Sequence, residues 1–298
     1  MTNVAWIAVD WGTSRLRGWA MSADDQVIEA RSSDDGMAGL NPADFAPVLV
    51  RLMGDFLSRE RMPVVACGML GARQGWAEAD YASVPCAPPQ IGAATRVQDA
   101  AFDVAILPGV KQHSPADVMR GEETQIAGFL RGHGDFDGVI CLPGTHTKWV
   151  HISAGEIVSF RTAMTGELFG VLKNHSILRH ALGQGWDEAA FAAGLDSSLS
   201  KPEGLATQLF GLRAENLLHG LDAAAATARL SGLLIGAELA SMKPYWLGQR
   251  VALIGAPALC ARYAAALKTQ GVPTETANGE DMTLAGLIAA RTQGRIAA

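Results

Sequence analysis

The sequence predicts an α/β protein of two related halves, each a mixed sheet flanked by helices, and three observations carry that expectation. Residues 7–19, I-A-V-D-W-G-T-S-R-L-R-G-W, are an apolar run that stops at Asp10, turns through Gly12, Thr13 and Ser14 and resumes at Arg15. That is the pattern of strand, tight turn and strand. Residues 139–151, V-I-C-L-P-G-T-H-T-K-W-V-H, repeat it about 130 positions later around Gly144 and Thr145, a spacing too long for a solenoid and suited to a duplicated sheet module. Between and after the two segments, apolar residues recur at helical spacing, first at Phe45, Val48, Leu49, Leu52, Met53 and Phe56, as helices covering a sheet require.

In chain order, residues 27–30 add a third strand to the first hairpin after the polar turn 22–26. Asn41-Pro42 reads as an N-cap with proline in the first helical turn, opening a helix that ends near Glu60 and leads to a buried parallel strand at 64–66. An irregular stretch follows, C-G-M-L-G-A-R-Q-G-W at 67–76, then Pro85, Pro88 and Pro89. Residues 104–107 are a further strand, and 116–130 contain a helix starting around Gly121-Glu122-Glu123. Three glycines within 131–138 mark a hinge, dividing an N-terminal lobe, 1–134, from a C-terminal lobe, 135–298. In the second lobe, strands are expected at 139–142, 148–152 and 157–162. A helix over 168–182 should turn Leu168, Val171, Leu172 and Leu178 to the core, and 187–241 is mostly helical. A buried strand at 251–255 ends in Gly255-Ala256-Pro257, followed by a helix at 258–269, a strand at 272–276 and a last helix at 280–291.

Composition narrows the function classes. A hydrophobic fraction of 49% against 18% charged residues indicates a folded protein with a substantial core. A net charge of -6 with no Lys/Arg cluster argues against nucleic acid, whose phosphate backbone needs a concentrated basic surface. Cys67, Cys86, Cys141 and Cys260 are far apart, with no metal-ligand spacing, which suits buried thiols in a reducing compartment. No signal segment opens the sequence, and the longest uncharged apolar stretch, 251–261, is too short to span a bilayer. The expectation is a cytoplasmic protein with no membrane partner.

A Gly-Thr turn between strands can offer backbone N–H groups and hydroxyls to a phosphate, because glycine lets the chain approach closely. Asp10 would then hold a hydrated magnesium, a hard cation that prefers oxygen ligands. On the first segment alone, an ordinary hairpin whose Asp and Thr satisfy the turn reads equally well; the second turn of the same kind tips the reading toward phosphates, with His146, Thr147 and Lys148 beside Gly144 and Thr145. The irregular stretch lies where ligands gather in α/β sheets, after a strand's carboxyl end. There Arg73 could grip a carboxylate at two points and Trp76 could stack on a carbon chain, or the stretch is a surface loop. Thr165 and Glu167 could reach substrate hydroxyls or simply cap a helix. No G-x-G-x-x-G turn follows a strand into a helix, which disfavours a dinucleotide oxidoreductase.

Five segments in order, D-W-G-T-S-R-L-R-G-W, C-G-M-L-G-A-R-Q-G-W, M-R-G-E-E-T-Q, L-P-G-T-H-T-K-W-V and F-R-T-A-M-T-G-E-L-F-G-V-L, spanning Asp10 to Leu172, together resemble the 2-dehydro-3-deoxygalactonokinase family of the sugar kinase and actin superfamily. A weaker match continues to Ala290. The resemblance implies a two-lobed ribonuclease H-like (actin-like ATPase) fold with a nucleotide cleft between the lobes, ATP and Mg2+ as cofactors, and a small sugar acid phosphorylated at its 6-hydroxyl. It implies nucleotide contacts at Gly12, Thr13, Ser14, Gly144, Thr145, His146, Thr147, Lys148, Gly255 and Ala256, although Gly-Ala-Pro replaces a richer glycine run at the adenosine motif. Sugar-acid contacts fall on Met69, Arg73, Trp76, Arg161, Thr165 and Glu167. The catalytic pair would be Asp10 and Glu122. Gly121-Glu122 resembles the G-D-Q placement of the catalytic Asp in glycerol kinase-like enzymes, but Glu stands where those carry Asp, and adjacent Glu123 is the alternative. A homodimer is compatible with the resemblance. The rival readings are a kinase for another sugar or sugar acid and a non-catalytic ATP-dependent clamp, which would show no sugar-stimulated ATP consumption.

Overall fold

The computed structural model describes residues 4–57 and 61–296. Within them are two compact units, one drawn from residues 4–57, 61–137, 152–159 and 278–296, the other from 138–151 and 160–277.

The first unit is built on a six-stranded sheet in the order β3-β2-β1-β4-β7-β6. Strands β1 (Trp6–Trp11), β2 (Leu16–Met21) and β3 (Val27–Ser33) run antiparallel, and β4 (Met62–Gly68) lies parallel to β1. Strand β7 (Phe102–Ile106) continues the parallel set, with β6 (Thr95–Gln98) antiparallel at the edge. Side chains alternate across a strand. Ile7, Val9 and Trp11 therefore pack with Phe45, Val48, Leu49 and Met53 of α1 (Phe45–Met53), whereas Trp6 and Ala8 face Leu287 and Ala290 of α9 (Gly279–Ile296). Ahead of α1, Asn41 and Asp44 close a reciprocal cap, the Asn41 N–H reaching Asp44 Oδ2 at 2.7 Å. Helix α1 ends at Met53 and a 3-10 turn follows, Gly54–Phe56; the expected end near Glu60 falls outside the described residues. A small sheet of β5 (Tyr81–Ser83), β8 (Gly109–His113) and β9 (Ala116–Met119) precedes α2 (Glu122–Gly132). These short strands carry no apolar alternation long enough to announce them, and the segment from Ala116 enters its helix only at Glu122.

A five-stranded sheet, drawn mostly from the second unit, repeats the strand order on β10 (Gly138–Leu142), β11 (Thr147–Ser153), β12 (Glu156–Ala163), β13 (Val251–Gly255) and β14 (Thr274–Asn278): β12-β11-β10-β13-β14, with β13 parallel to β10 as β4 is to β1. Helices α3 (Thr165–His175), α4 (Glu188–Ser200), α5 (Leu205–His219), α6 (Ala223–Ser241), the single turn α7 (Lys243–Trp246) and α8 (Pro257–Thr269) complete it. Helix α6 is long and apolar enough by composition to cross a membrane, but 72% of that window is buried inside the fold, as a central core helix requires.

Two expectations are corrected. The helix drawn over 168–182 ends at His175, because Ser176 Oγ donates to Leu172 O at 2.6 Å and accepts the Leu178 N–H at 3.0 Å, an alternative to continued helix bonding. Leu168 and Val171, inside the helix that forms, are exposed, and of the predicted face Leu178 is buried. The last helix was assigned to the 135–298 lobe; instead it covers the first sheet, since its apolar stripe at Leu284, Leu287, Ile288 and Ala290 meets Trp6 and Ala8.

Candidate active site

In the first unit, the turn after Trp11 closes with the Gly12 N–H on Arg15 O at 2.8 Å and leaves Thr13 and Ser14 exposed. It is braced by main chain: Met37 and Ala38 donate to Gly12 O and Thr13 O at 3.0 and 3.1 Å, and Trp11 Nε1 reaches Asp35 O at 2.9 Å. A Cβ on Gly36 would stand 2.3 Å from Thr13 O, so only glycine admits this contact.

Asp10 sits at the foot of the turn with Oδ2 on Arg17 Nη1 at 2.7 Å, and Arg17 Nε in turn lies 3.4 Å from Glu280. Burial raises the Asp10 carboxyl above its usual value, while the Arg17 guanidinium works against that rise. Beside it, the Cys67 thiol is pushed well up by burial and by the charges of Asp10 and Glu123. Gly68 packs against Trp11 and Asp10, and Gly121 against Gly68, which brings the start of α2 close to Asp10. Glu122 is half-buried there with Oε2 accepting the Arg120 N–H at 3.0 Å. Glu123 is buried, both oxygens accepting the Gly121 N–H at 2.8 Å. Desolvation, reinforced by Glu122, pushes its carboxyl up to about 7.

Of the predicted sugar-acid residues in this unit, Met69 is half-buried and Arg73 exposed. The Trp76 ring stacks on Phe45, with centroids 6.0 Å apart, and meets Trp11 edge-on at 6.4 Å, so it belongs to the packing of the unit. Arg120, which the sequence did not single out, lies 4.2 Å over the Tyr81 ring and donates to Ala79 O at 2.7 Å, tying β9 to the loop before β5.

In the second unit, the Gly144-Thr145 turn packs against the start of α3. Glu167 donates its N–H to Thr145 O at 2.9 Å, its carboxylate bonds His146 Nε2, and a Cβ on Gly166 would lie 2.3 Å from Gly144 O. Gly255, ahead of Ala256 at the start of α8, approaches Pro143 O closely. Together these elements border a cavity of about 300 Å³, with Gly144, Thr145, Thr165 and Gly166 at one side and Phe169, Leu234, Ile235, Leu259, Arg262 and Tyr263 around it. A few polar groups in a mostly apolar wall is the ordinary make-up of a small-molecule pocket. Thr147 and Lys148 are buried in β11, their side chains meeting Tyr263 OH at 3.1 Å and Thr162 Oγ1 at 2.9 Å. Arg161 is exposed on β12. The sequence reading missed Glu238, whose signal was its position as the single charged residue within 230–241.

Among the described residues no group of three or more His, Cys, Asp or Glu side chains is placed to hold a metal ion. Magnesium that arrives with a nucleotide needs only one or two carboxylates, the rest of its shell being phosphate and water. Asp10, beside the exposed turn hydroxyls, is a donor of that kind.

A model of the family described as 2-keto-3-deoxy-galactonokinase matches residues 10–290. A probable 2-dehydro-3-deoxygalactonokinase, DgoK1, from Rhizobium meliloti (strain 1021) is 40% identical over 291 residues, 95% of both chains. The 2-dehydro-3-deoxygalactonokinase of Escherichia coli (strain K12) is 39% identical over 95% of this chain and 96% of its own. A crystal structure of a Sinorhizobium meliloti protein assigned the same activity superposes with a TM-score of 0.88 at 38% identity, covering 97% of this chain and 96% of that one. The activator of 2-hydroxyisocaproyl-CoA dehydratase from Clostridium difficile, at 13% identity and a TM-score of 0.51 over 98% and 97% of the two chains, shares the fold. The fold class is the α/β, ribonuclease H-like one of the actin-like ATPases, each unit a mixed sheet flanked by helices.

Proposed function

This chain belongs to the 2-keto-3-deoxy-galactonokinase family, and on that premise we propose that it uses ATP to phosphorylate 2-dehydro-3-deoxy-D-galactonate at the 6-hydroxyl, giving 2-dehydro-3-deoxy-6-phosphogalactonate in galactonate breakdown. The observation that carries the site assignment is the cavity beside the Gly144-Thr145 turn. Its apolar wall suits a nucleoside, and the turn at its edge suits the phosphates that follow.

Phosphoryl transfer asks a protein mainly for positioning and charge. Gly12, Thr13 and Ser14 offer phosphate oxygens one exposed turn, and Gly144 and Thr145 offer another. Asp10 would hold Mg2+, whose charge draws electron density from the phosphate oxygens. Glu122, half-buried at the start of α2, is the carboxylate that takes or orients the proton of the attacking hydroxyl. Glu123 is enclosed and holds the Gly121 N–H, so its part is to fix the turn from which Glu122 projects. Arg73, exposed on the loop after β4, is the cation available to the acid's carboxylate.

A panel of 2-keto-3-deoxy acids offered with ATP tests the reading. ADP release should depend on the added acid and be fastest with the galactonate derivative. Acid-independent ATP consumption, or a faster turnover with an acid of different stereochemistry, would reject it.

A further inference from the structure

Glu238 lies in the last turn of α6, 4% exposed, where an unpaired carboxylate would be costly. It is not unpaired. Trp149 Nε1 donates to its Oε1 at 2.8 Å, Tyr263 OH donates to Oε2 at 2.8 Å, and Thr165 Oγ1 donates to the same Oε2. Thr147 Oγ1 lies 3.1 Å from Tyr263 OH, and since that phenol gives its proton to the acid, the threonine is the donor of this second link. The donors come from the strand leaving the Gly144-Thr145 turn, from the first residue of α3 and from α8. Thr165 and Tyr263 also line the cavity beside that turn. One buried acid thus joins the elements that shape the pocket.

We propose that Glu238 is a positioning residue for the nucleotide: by gathering Trp149, Thr165 and Tyr263 it fixes the spacing between the second phosphate turn and the wall of α8. Glu238 itself touches neither phosphate nor sugar acid. The proposal rests on the reading of this cavity as the ATP pocket.

Removal of the acid leaves buried donors without acceptors, and they must find other partners by moving. A glutamine keeps the shape. Its carbonyl can face Trp149 Nε1, and its amide can donate to Thr165 and Tyr263, whose hydroxyls turn to accept. The effects therefore separate by chemistry rather than by loss of bulk alone.

Calorimetric titration of the full chain with ATP, alongside steady-state kinetics, tests this. Glu238→Ala should weaken ATP binding roughly tenfold or more while the KM of the sugar acid moves less than about threefold. Glu238→Gln should bind ATP within about threefold of the parent, and Tyr263→Phe, which removes one donor and Thr147's acceptor, should fall between. If Glu238→Ala does not fold, the Tyr263→Phe result decides: unaltered ATP binding overturns the proposal. It is equally overturned if folded Glu238→Ala binds ATP like the parent, if both KM values rise together, or if glutamine rescues nothing. A parent chain that binds no ATP would instead overturn the assignment of the pocket, and this inference with it.

Discussion

The two Gly-Thr turns are alike in sequence and in the strands they join, yet they are supported in different ways. The first is braced by main-chain bonds from Met37 and Ala38, stands with exposed hydroxyls, and has charged side chains at its base, Asp10 on Arg17 and Arg17 near Glu280. Behind the second, the buried Thr147 bonds Tyr263 and the half-buried Thr165 bonds Glu238, with His146 paired to Glu167 at its rim. The contrast teaches a division of labour. On the proposed reading, ionisable groups near the first turn act on the reacting atoms, whereas those behind the second fix the walls of a pocket. Substitutions near the first should alter turnover, and those near the second should alter nucleotide affinity.

The strongest way to break that division is Glu122→Gln. Turnover should fall by about 10² to 10⁴-fold, the range for loss of a general base, with ATP affinity in calorimetry unchanged; near-normal turnover would remove Glu122 from the mechanism. Glu123 gives the next largest effect, on stability. Its folded carboxyl titrates near 7 against an unfolded value of 4.5, so between those values the folded state keeps a proton that the unfolded state has released. Stability present below pH 4.5 is therefore lost as the pH rises to about 7, by about 3 kcal/mol at most. Glu123→Gln should not show that loss, and its Tm advantage over the parent should be larger at pH 8 than at pH 5. An equal advantage at both would mean that the carboxyl is ionised throughout.

At the second turn, Gly166→Ala places a methyl group against Gly144 O and should raise the KM for ATP about tenfold while kcat changes less. A fall in kcat with unaltered KM would erase the distinction between the turns. The smallest effect expected is at Arg73, where alanine should raise the KM of the sugar acid severalfold, as loss of an exposed charged hydrogen bond does, with the KM for ATP unmoved. Equal changes in both would remove Arg73 from carboxylate recognition.

Much of the architecture was legible because its signals are local. A Gly-Thr pair interrupting an apolar run marks a hairpin wherever it occurs, and Asn41-Pro42 marks a helix start without reference to any neighbour. The misreadings concern contacts between distant parts of the chain. An amphipathic stripe on α9 says that the helix covers something, but not that the surface is Trp6 and Ala8, more than two hundred residues away. Glu238 gave only the hint of a lone charge in an apolar run. Its donors lie 89, 73 and 25 residues distant. Trp76 shows what a loop reading leaves out: the aromatic in that ligand-type loop is half-buried, with its ring packed against Phe45 and Trp11. Ser176 ended α3 by a side-chain bond whose competition with helix propagation depends on the surrounding structure.

The return of α9 to the first sheet has a consequence for synthesis. Domains generally fold as units, amino-terminal first, as the chain is made, but here that order is inverted. By the time residue 277 has been added the second unit has its whole sequence, whereas the Trp6 and Ala8 face still lacks the helix that covers it. The amino-terminal sheet is the first part translated and the last to receive its roof, so a released chain ending before α9 should expose that apolar face to chaperones while its partner unit has its whole sequence.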